Sequence, residues 1–308
     1  MPAADAPLRL GVALVMLVGI GALWGLGAPL VRFARLEGLG TFSVVLWQSA
    51  VGLIVLAAVQ VVRGRFDLPR DPASLLLYAV VGMLGIVLPH LAGYWALGHI
   101  PAGVHALLTS LVPMFALALA LGLRIERFRP VRALGLGLGA AAVALLVLPD
   151  ESLPPSVPVV FVFISALAPL CYALESAFVA HMSRAQAGAL QALLGGSLVA
   201  MLVMVPLTYG AGQPVLPRSA QPAMLALVLS GASSALAYAG YVSLLRSAGS
   251  VFATQVAYLV TAWAMLWSVL ILGERHGPWV WLAMVLLFAG LFLVQPRPKL
   301  APTVPPLT

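Results

Sequence analysis

The stretch YWALGHIPAGVHALLTSLVPMFALALALGLRIERFRP, residues 94–130, returns in outline as YVSLLRSAGSVFATQVAYLVTAWAMLWSVLILGERHGP, residues 241–278. Glu126 and Pro130 reappear 148 residues later as Glu274 and Pro278, and Tyr94 reappears 147 residues later as Tyr241. The parallel runs on to Pro149 and Pro296, so the chain is close to two copies of one unit of about half its length. Each copy holds five long apolar segments. An odd number of spans forces the second copy to enter a membrane from the opposite side.

Composition supports this. The 308 residues are 62% hydrophobic and 8% charged, with a mean hydropathy of +1.08. A soluble domain carries about 25% charged residues. A membrane helix needs about 20 apolar residues to cross about 30 Å of hydrocarbon. Ten segments qualify: 10–32, 41–62, 73–98, 102–123, 131–148, 157–180, 187–208, 223–245, 251–272 and 279–295, the last being the shortest. The expected fold is therefore an all-α membrane protein of ten transmembrane helices arranged as two inverted five-helix repeats. The repeats span residues 1–149 and 156–296, joined by the polar, proline-rich Pro149–Pro155. Residues 297–308, rich in proline and without apolar periodicity, are expected to be a disordered tail. The first apolar run, Leu10 to Val31, exceeds the 7–15 residues of a signal core, which argues against a cleaved signal peptide.

The net charge of +7 reads as orientation rather than as nucleic-acid binding. With the N-terminus in the cytoplasm, twelve basic residues fall inside: Arg9, Arg63, Arg65, Arg70, Arg124, Arg127, Arg129, Arg132, Arg184, Arg246, Arg297 and Lys299. Four fall outside: Arg32, Arg35, Arg218 and Arg275. This bias satisfies the positive-inside rule and puts both termini in the cytoplasm, with the cell inner membrane as the expected location. A single cysteine, Cys171, excludes an intramolecular disulfide and a multi-cysteine metal site, and no cofactor is expected.

Small residues suggest how the helices pack. Gly135 and Gly139 form a small-xxx-small pair that lets a neighbouring helix approach closely. Gly19-Ile20-Gly21 resembles the start of a dinucleotide fingerprint. It fails because Trp24 stands where the last glycine should be, inside an apolar helix.

Further residues fill out the pattern. Trp24-Gly25 lies in the first helix, Tyr94-Trp95-Ala96-Leu97 closes the third, and Pro113 lies inside the fourth. Glu126 follows the fourth helix and Gly273-Glu274-Arg275 the ninth. With these features, covering residues 10 to 295, the chain resembles the drug/metabolite transporter (DMT) superfamily, specifically its ten-helix EamA-type members. The set is specific for fold and not for substrate. Gln48 stands where many members carry arginine, Cys171-Tyr172-Ala173 where the sixth helix often has Trp-Ala, and Val260 where the ninth often has proline. The resemblance implies a secondary transporter of small organic molecules, often an exporter of amino acids or related metabolites. Its partners would be the small-molecule substrate and the lipid bilayer, with a homodimer allowed.

Candidate substrate-binding residues are Trp24, Gln48, His90, Tyr94, Glu175, Tyr238, Gln255 and Tyr258. Glu175 is the only acidic residue well inside an expected span. A charge there costs about 2.5–3.5 kcal/mol on insertion scales, so a proton site or an amine partner is expected. The alternative is an interfacial carboxylate reaching Arg184. His90 follows Pro89 and shares a face with Tyr94; it is the second candidate for proton coupling. The alternative is a histidine bonded to a neighbouring helix. Pro89, Pro113 and Pro169 mark breaks or kinks in helices three, four and six. Thr254, Gln255, Tyr258 and Thr261 form a polar stripe on helix nine, as do Ser230, Ser234, Tyr238 and Tyr241 on helix eight. Such stripes line a cavity or join helices. Trp24 is a candidate cavity wall, and Trp263 and Trp267 are packing or belt residues. A cavity walled by Trp24, Tyr94, Tyr238 and Tyr258 would favour flat, apolar or cationic solutes.

An intramembrane enzyme fits poorly: the only lysine is Lys299, all four aspartates lie outside the spans, there is no asparagine, and no His-Glu-x-x-His pattern occurs. A channel or membrane sensor lacks a charge ring, a carbonyl filter motif and a loop long enough for a signalling domain.

Overall fold

The computed structural model describes residues 10–64, 67–149, 152–153, 157–182, 184–214 and 221–295. Every regular element among them is helical. Eight segments are long and apolar enough to cross a membrane: α1 (Leu10–Leu36), α2 (Thr41–Val62), α3 (Pro72–Leu97), α4 (Ala102–Gly122), α5 (Pro130–Val147), α6 (Val160–His181), α7 (Ala189–Gly210) and α8 (Gln221–Ala248). Two shorter apolar helices follow, α9 (Val256–Leu272) and α10 (Pro278–Val294). The expected tail at 297–308 and most of the linker lie outside the described residues, as do Arg9, Arg65, Arg218, Arg297 and Lys299.

Proline and local polarity account for most interruptions. α1 turns at Leu26, and Pro29 lacks the N–H that the Gly25 carbonyl would accept. α3 widens into a π-helical segment, Val81–Val87, just before Pro89. α4 breaks at Ser110-Leu111, where Pro113 leaves the Thr109 carbonyl without its helical donor. A single turn, Ser250–Ala253, precedes α9 and is set off by Thr254-Gln255. Pro169 departs from expectation: α6 runs through it without a break. The breaks in α1 and before α9 were not anticipated.

The principal packing crosses between the halves. α1 packs on α8 and α9, α2 on α7 and α8, α3 on α6 and α7, α4 on α6 and α9, and α5 on α10. Exchanging each helix for the one five places away turns this set of pairs into itself. The α2–α7, α4–α9 and α5–α10 pairs map onto themselves, as elements on a pseudo-two-fold axis must.

In lipid, apolar burial gives helices little reason to associate, so close packing must supply the attraction. Glycines permit it. A Cβ on Gly135 would lie 2.8 Å from the Gly290 carbonyl oxygen, so the small-xxx-small face of α5 meets a glycine of α10. A Cβ on Gly21 would lie 2.6 Å from that of Leu259, so the false dinucleotide fingerprint is the α1–α9 contact. Gly82 and Gly196 bring α3 and α7 together in the same way. The outer surface is apolar, with Leu134, Leu202, Leu270, Val285 and Phe292 all exposed. That surface suits hydrocarbon and marks a multi-pass membrane protein.

Candidate functional site

A cavity of about 1250 Å³ lies between the two halves. It is larger than the roughly 300–1,000 Å³ of ordinary ligand pockets. Trp24, Gln48, His90, Tyr94, Glu175, Tyr238 and Tyr258 all line it. Gln255 does not: it sits in the turn before α9, where its Nε2 donates to Gln295 Oε1 at 3.4 Å. Gln295 lines the cavity and in turn donates to the Tyr258 hydroxyl at 3.3 Å.

The walls are aromatic. Trp24 meets Tyr238 edge-on at 6.3 Å between ring centroids and Tyr241 at 5.5 Å. His90 stacks on Tyr94 at 4.6 Å, and its Nδ1 is buried without a hydrogen-bond partner. Four residues apart on α3, the two rings share a face because of helical periodicity.

Glu175 projects from α6 across the wide turn of α3. A Cβ on Gly85 would fall 2.8 Å from its Oε1, so any larger residue there would displace the carboxylate. Tyr172 and Tyr238 lie within its electrostatic reach. Among the described residues Glu175 forms no hydrogen bond or ion pair, and Arg184 is exposed and unpaired with it. Gln48 is instead held in place: its Nε2 donates to Ser230 Oγ at 2.5 Å, and Ser230 Oγ donates to the Gly27 carbonyl at 3.3 Å, beside the break in α1.

Two wall residues were missed in the sequence. His105 is buried on α4, with Nδ1 2.7 Å from Ser165 Oγ and Nε2 3.4 Å from Thr109 Oγ1. The signal was there, since His105 and Thr109 stand one turn apart in an apolar helix. Tyr172 was noted only as a departure from the family pattern and also faces the cavity.

The matching acidic residues of the two repeats are placed differently. Glu126 and Arg132 line the cavity, paired at 3.0 Å, and Arg132 Nε donates to the Val294 carbonyl at 3.0 Å. Away from the cavity, Glu274, the repeat twin of Glu126, is locked in a buried cluster. Its carboxylate accepts from the Ala102 and Gly103 N–H groups at 2.8 and 3.2 Å, capping the start of α4. Arg32 Nε lies 2.8 Å from Glu274 Oε1, and Arg32 also donates to the Leu97 and Ile100 carbonyls. His276 lies 3.6 Å from Glu274 and 2.9 Å from Ser268 Oγ. Burial holds the His276 imidazole below the usual histidine range, against the pull of Glu274. Arg32 was counted in the sequence as a charge outside the membrane. It was missed as a bonding partner because α1 continues to Leu36.

Broken apolar helices around one large, partly polar cavity define a multi-pass membrane protein with a central internal chamber. The model of the EamA-like transporter family matches residues 10–148 and again residues 159–295. The chain belongs to this family and is a membrane transporter of the drug/metabolite type. A solved crystal structure, described only as that of a protein, matches with a TM-score of 0.62 and 19% identity. The match covers 92% of this chain and 96% of that one, a likeness of fold. No curated protein matches the chain.

Proposed function

We propose that this chain is a secondary transporter working by alternating access, an exporter of amino acids or related metabolites from the cytoplasm, driven by protons. The observation that carries the reading is Glu175: a carboxylate without a partner among the described residues, on the wall of the chamber between the two halves. In this reading the chain crosses the inner membrane ten times as two inverted repeats, with both termini inside. The Glu126–Arg132 end then faces the cytoplasm, where an exporter loads, and the Arg32–Glu274 cluster is the closed outer gate.

An unpaired carboxylate in low dielectric is stable when protonated and must find a cation when ionised. Substrate and proton can therefore exclude each other at Glu175, which is the requirement for exchange. The other titratable groups that line the cavity are Tyr172 on its own helix, His90 and Tyr94 from α3, His105 from α4, Tyr238 and Tyr241 from α8, Tyr258 from α9, and the paired Glu126 and Arg132. His90, with its unpartnered Nδ1, is the second candidate for carrying the proton.

The test is growth of overexpressing cells on a panel of toxic amino acids, amines and drugs. Resistance that is lost when Glu175→Gln replaces the wild type at equal membrane abundance supports proton-driven export. Sensitisation by the wild type would indicate uptake and overturn the direction.

A further inference from the structure

We propose that the cavity selects a singly charged organic cation, an amine on a flat apolar body, over the zwitterion or anion of the same skeleton. This rests on the transporter reading and narrows its solute from amino acids to the amines related to them.

The argument is a count of charge along the wall. Two carboxylates line the cavity, Glu126 and Glu175, and one guanidinium, Arg132. Glu126 and Arg132 neutralise each other at the rim, and Arg132 is held further by the Val294 carbonyl. Among the described residues that line the chamber, Glu175 is the one charge with no counter-ion. A cationic amine supplies that counter-ion. A zwitterion would bring a carboxylate for which the wall offers no free Lys or Arg among the described residues, and burying an unpaired charge is costly. His105 has both ring nitrogens engaged, by Ser165 and Thr109. The buried Nδ1 of His90 has no partner and is suited to a hydroxyl or a ring N–H.

The rings agree with the charge. Trp24, Tyr94, Tyr172, Tyr238, Tyr241 and Tyr258 all face the chamber. Indole and phenol faces attract cations within about 6 Å, and more strongly where water is excluded. They also accept a flat apolar body by stacking. Tyr238 links the two halves of the site, lying against Trp24 and within the field of Glu175.

Four probes share one ring and differ in charge: tryptamine, tryptophan, indole-3-propionate and indole. Equilibrium binding of each to the purified full-length protein is measured by calorimetry. Tryptamine should bind at least tenfold more tightly than tryptophan, with indole-3-propionate weakest. Glu175→Gln should weaken tryptamine at least tenfold and leave indole within twofold. Tryptophan binding as tightly as tryptamine overturns the proposal, as does tryptamine failing to bind at millimolar concentration. If the Gln variant does not fold, the four-probe series on the wild type still decides. Binding is read without transport, so the two readings fail separately. Tryptamine that binds but is not exchanged by reconstituted vesicles upholds the site and sinks the transporter mechanism. Tryptophan that is exchanged while tryptamine is not upholds transport and sinks the cation site.

Discussion

Glu175 was legible because a carboxylate stands out in an apolar helix, and Trp24 because tryptophan usually sits at the membrane interface. Gly85 was not legible, because its purpose depends on a side chain from another helix. That dependence gives a prediction. Gly85→Ala places a methyl 2.8 Å from the Glu175 oxygen and must push the carboxylate aside. Transport by this variant should fall at least tenfold while membrane abundance stays normal. Wild-type rates in reconstituted vesicles would disconnect Gly85 from the site. His276 allows a pH prediction with a definite sign. Its folded pKa is lowered, so below the ordinary value of about 6.5 the unfolded chain binds a proton that the folded chain resists. Stability is therefore full above that pH and is lost as pH falls through it. Melting curves in detergent should show His276→Gln losing less stability than wild type between pH 7 and pH 5. Equal losses would remove His276 from the acid response.

Helix breaks divide into those written in proline and those written in contacts. Pro89 and Pro113 announced theirs. Pro169 announced one that did not form, since α6 continues through it. The turn at Leu26 lies between two glycines, and both of its sides are held by neighbours: Gly25 against Trp263, and the Gly27 carbonyl by Ser230. Those neighbours come from the other half, which sequence reading could not place. The α5–α10 pair meets through glycines, as the small-xxx-small spacing of Gly135 and Gly139 suggested. Its glycine contact gives a clean test. Gly290→Ala puts a methyl 2.8 Å from the Gly135 carbonyl, which is backbone and cannot swing away. The expected cost is about 1–3 kcal/mol, the range for overpacking. Gly137 has nothing within 4 Å of its built Cβ, so Gly137→Ala should be neutral or slightly stabilising. Thermal melting of both variants measures the contrast, and equal melting points would mean that the pair is loose.

For the molecule as a whole, the duplication gave the repeat length and the number of apolar segments, but not the partners. Repetition tells which segments are alike and nothing about which ones touch. The inverted arrangement itself is open to direct test. Reporter fusions after Leu148 and after Val294 should lie on opposite sides of the membrane, the first outside and the second in the cytoplasm. The same side for both would dismantle the two-fold arrangement. The crossed packing bears on how the protein is made. Each principal helix pair joins an early segment to a late one. At about 5–20 residues per second, a ribosome needs on the order of ten seconds to add the second half after finishing the first. For about half of that interval Gln48, already lodged in the bilayer, waits for Ser230. A nascent half of this kind needs shielding by the insertion machinery. A chain halted at the linker would be left to membrane proteases rather than fold alone.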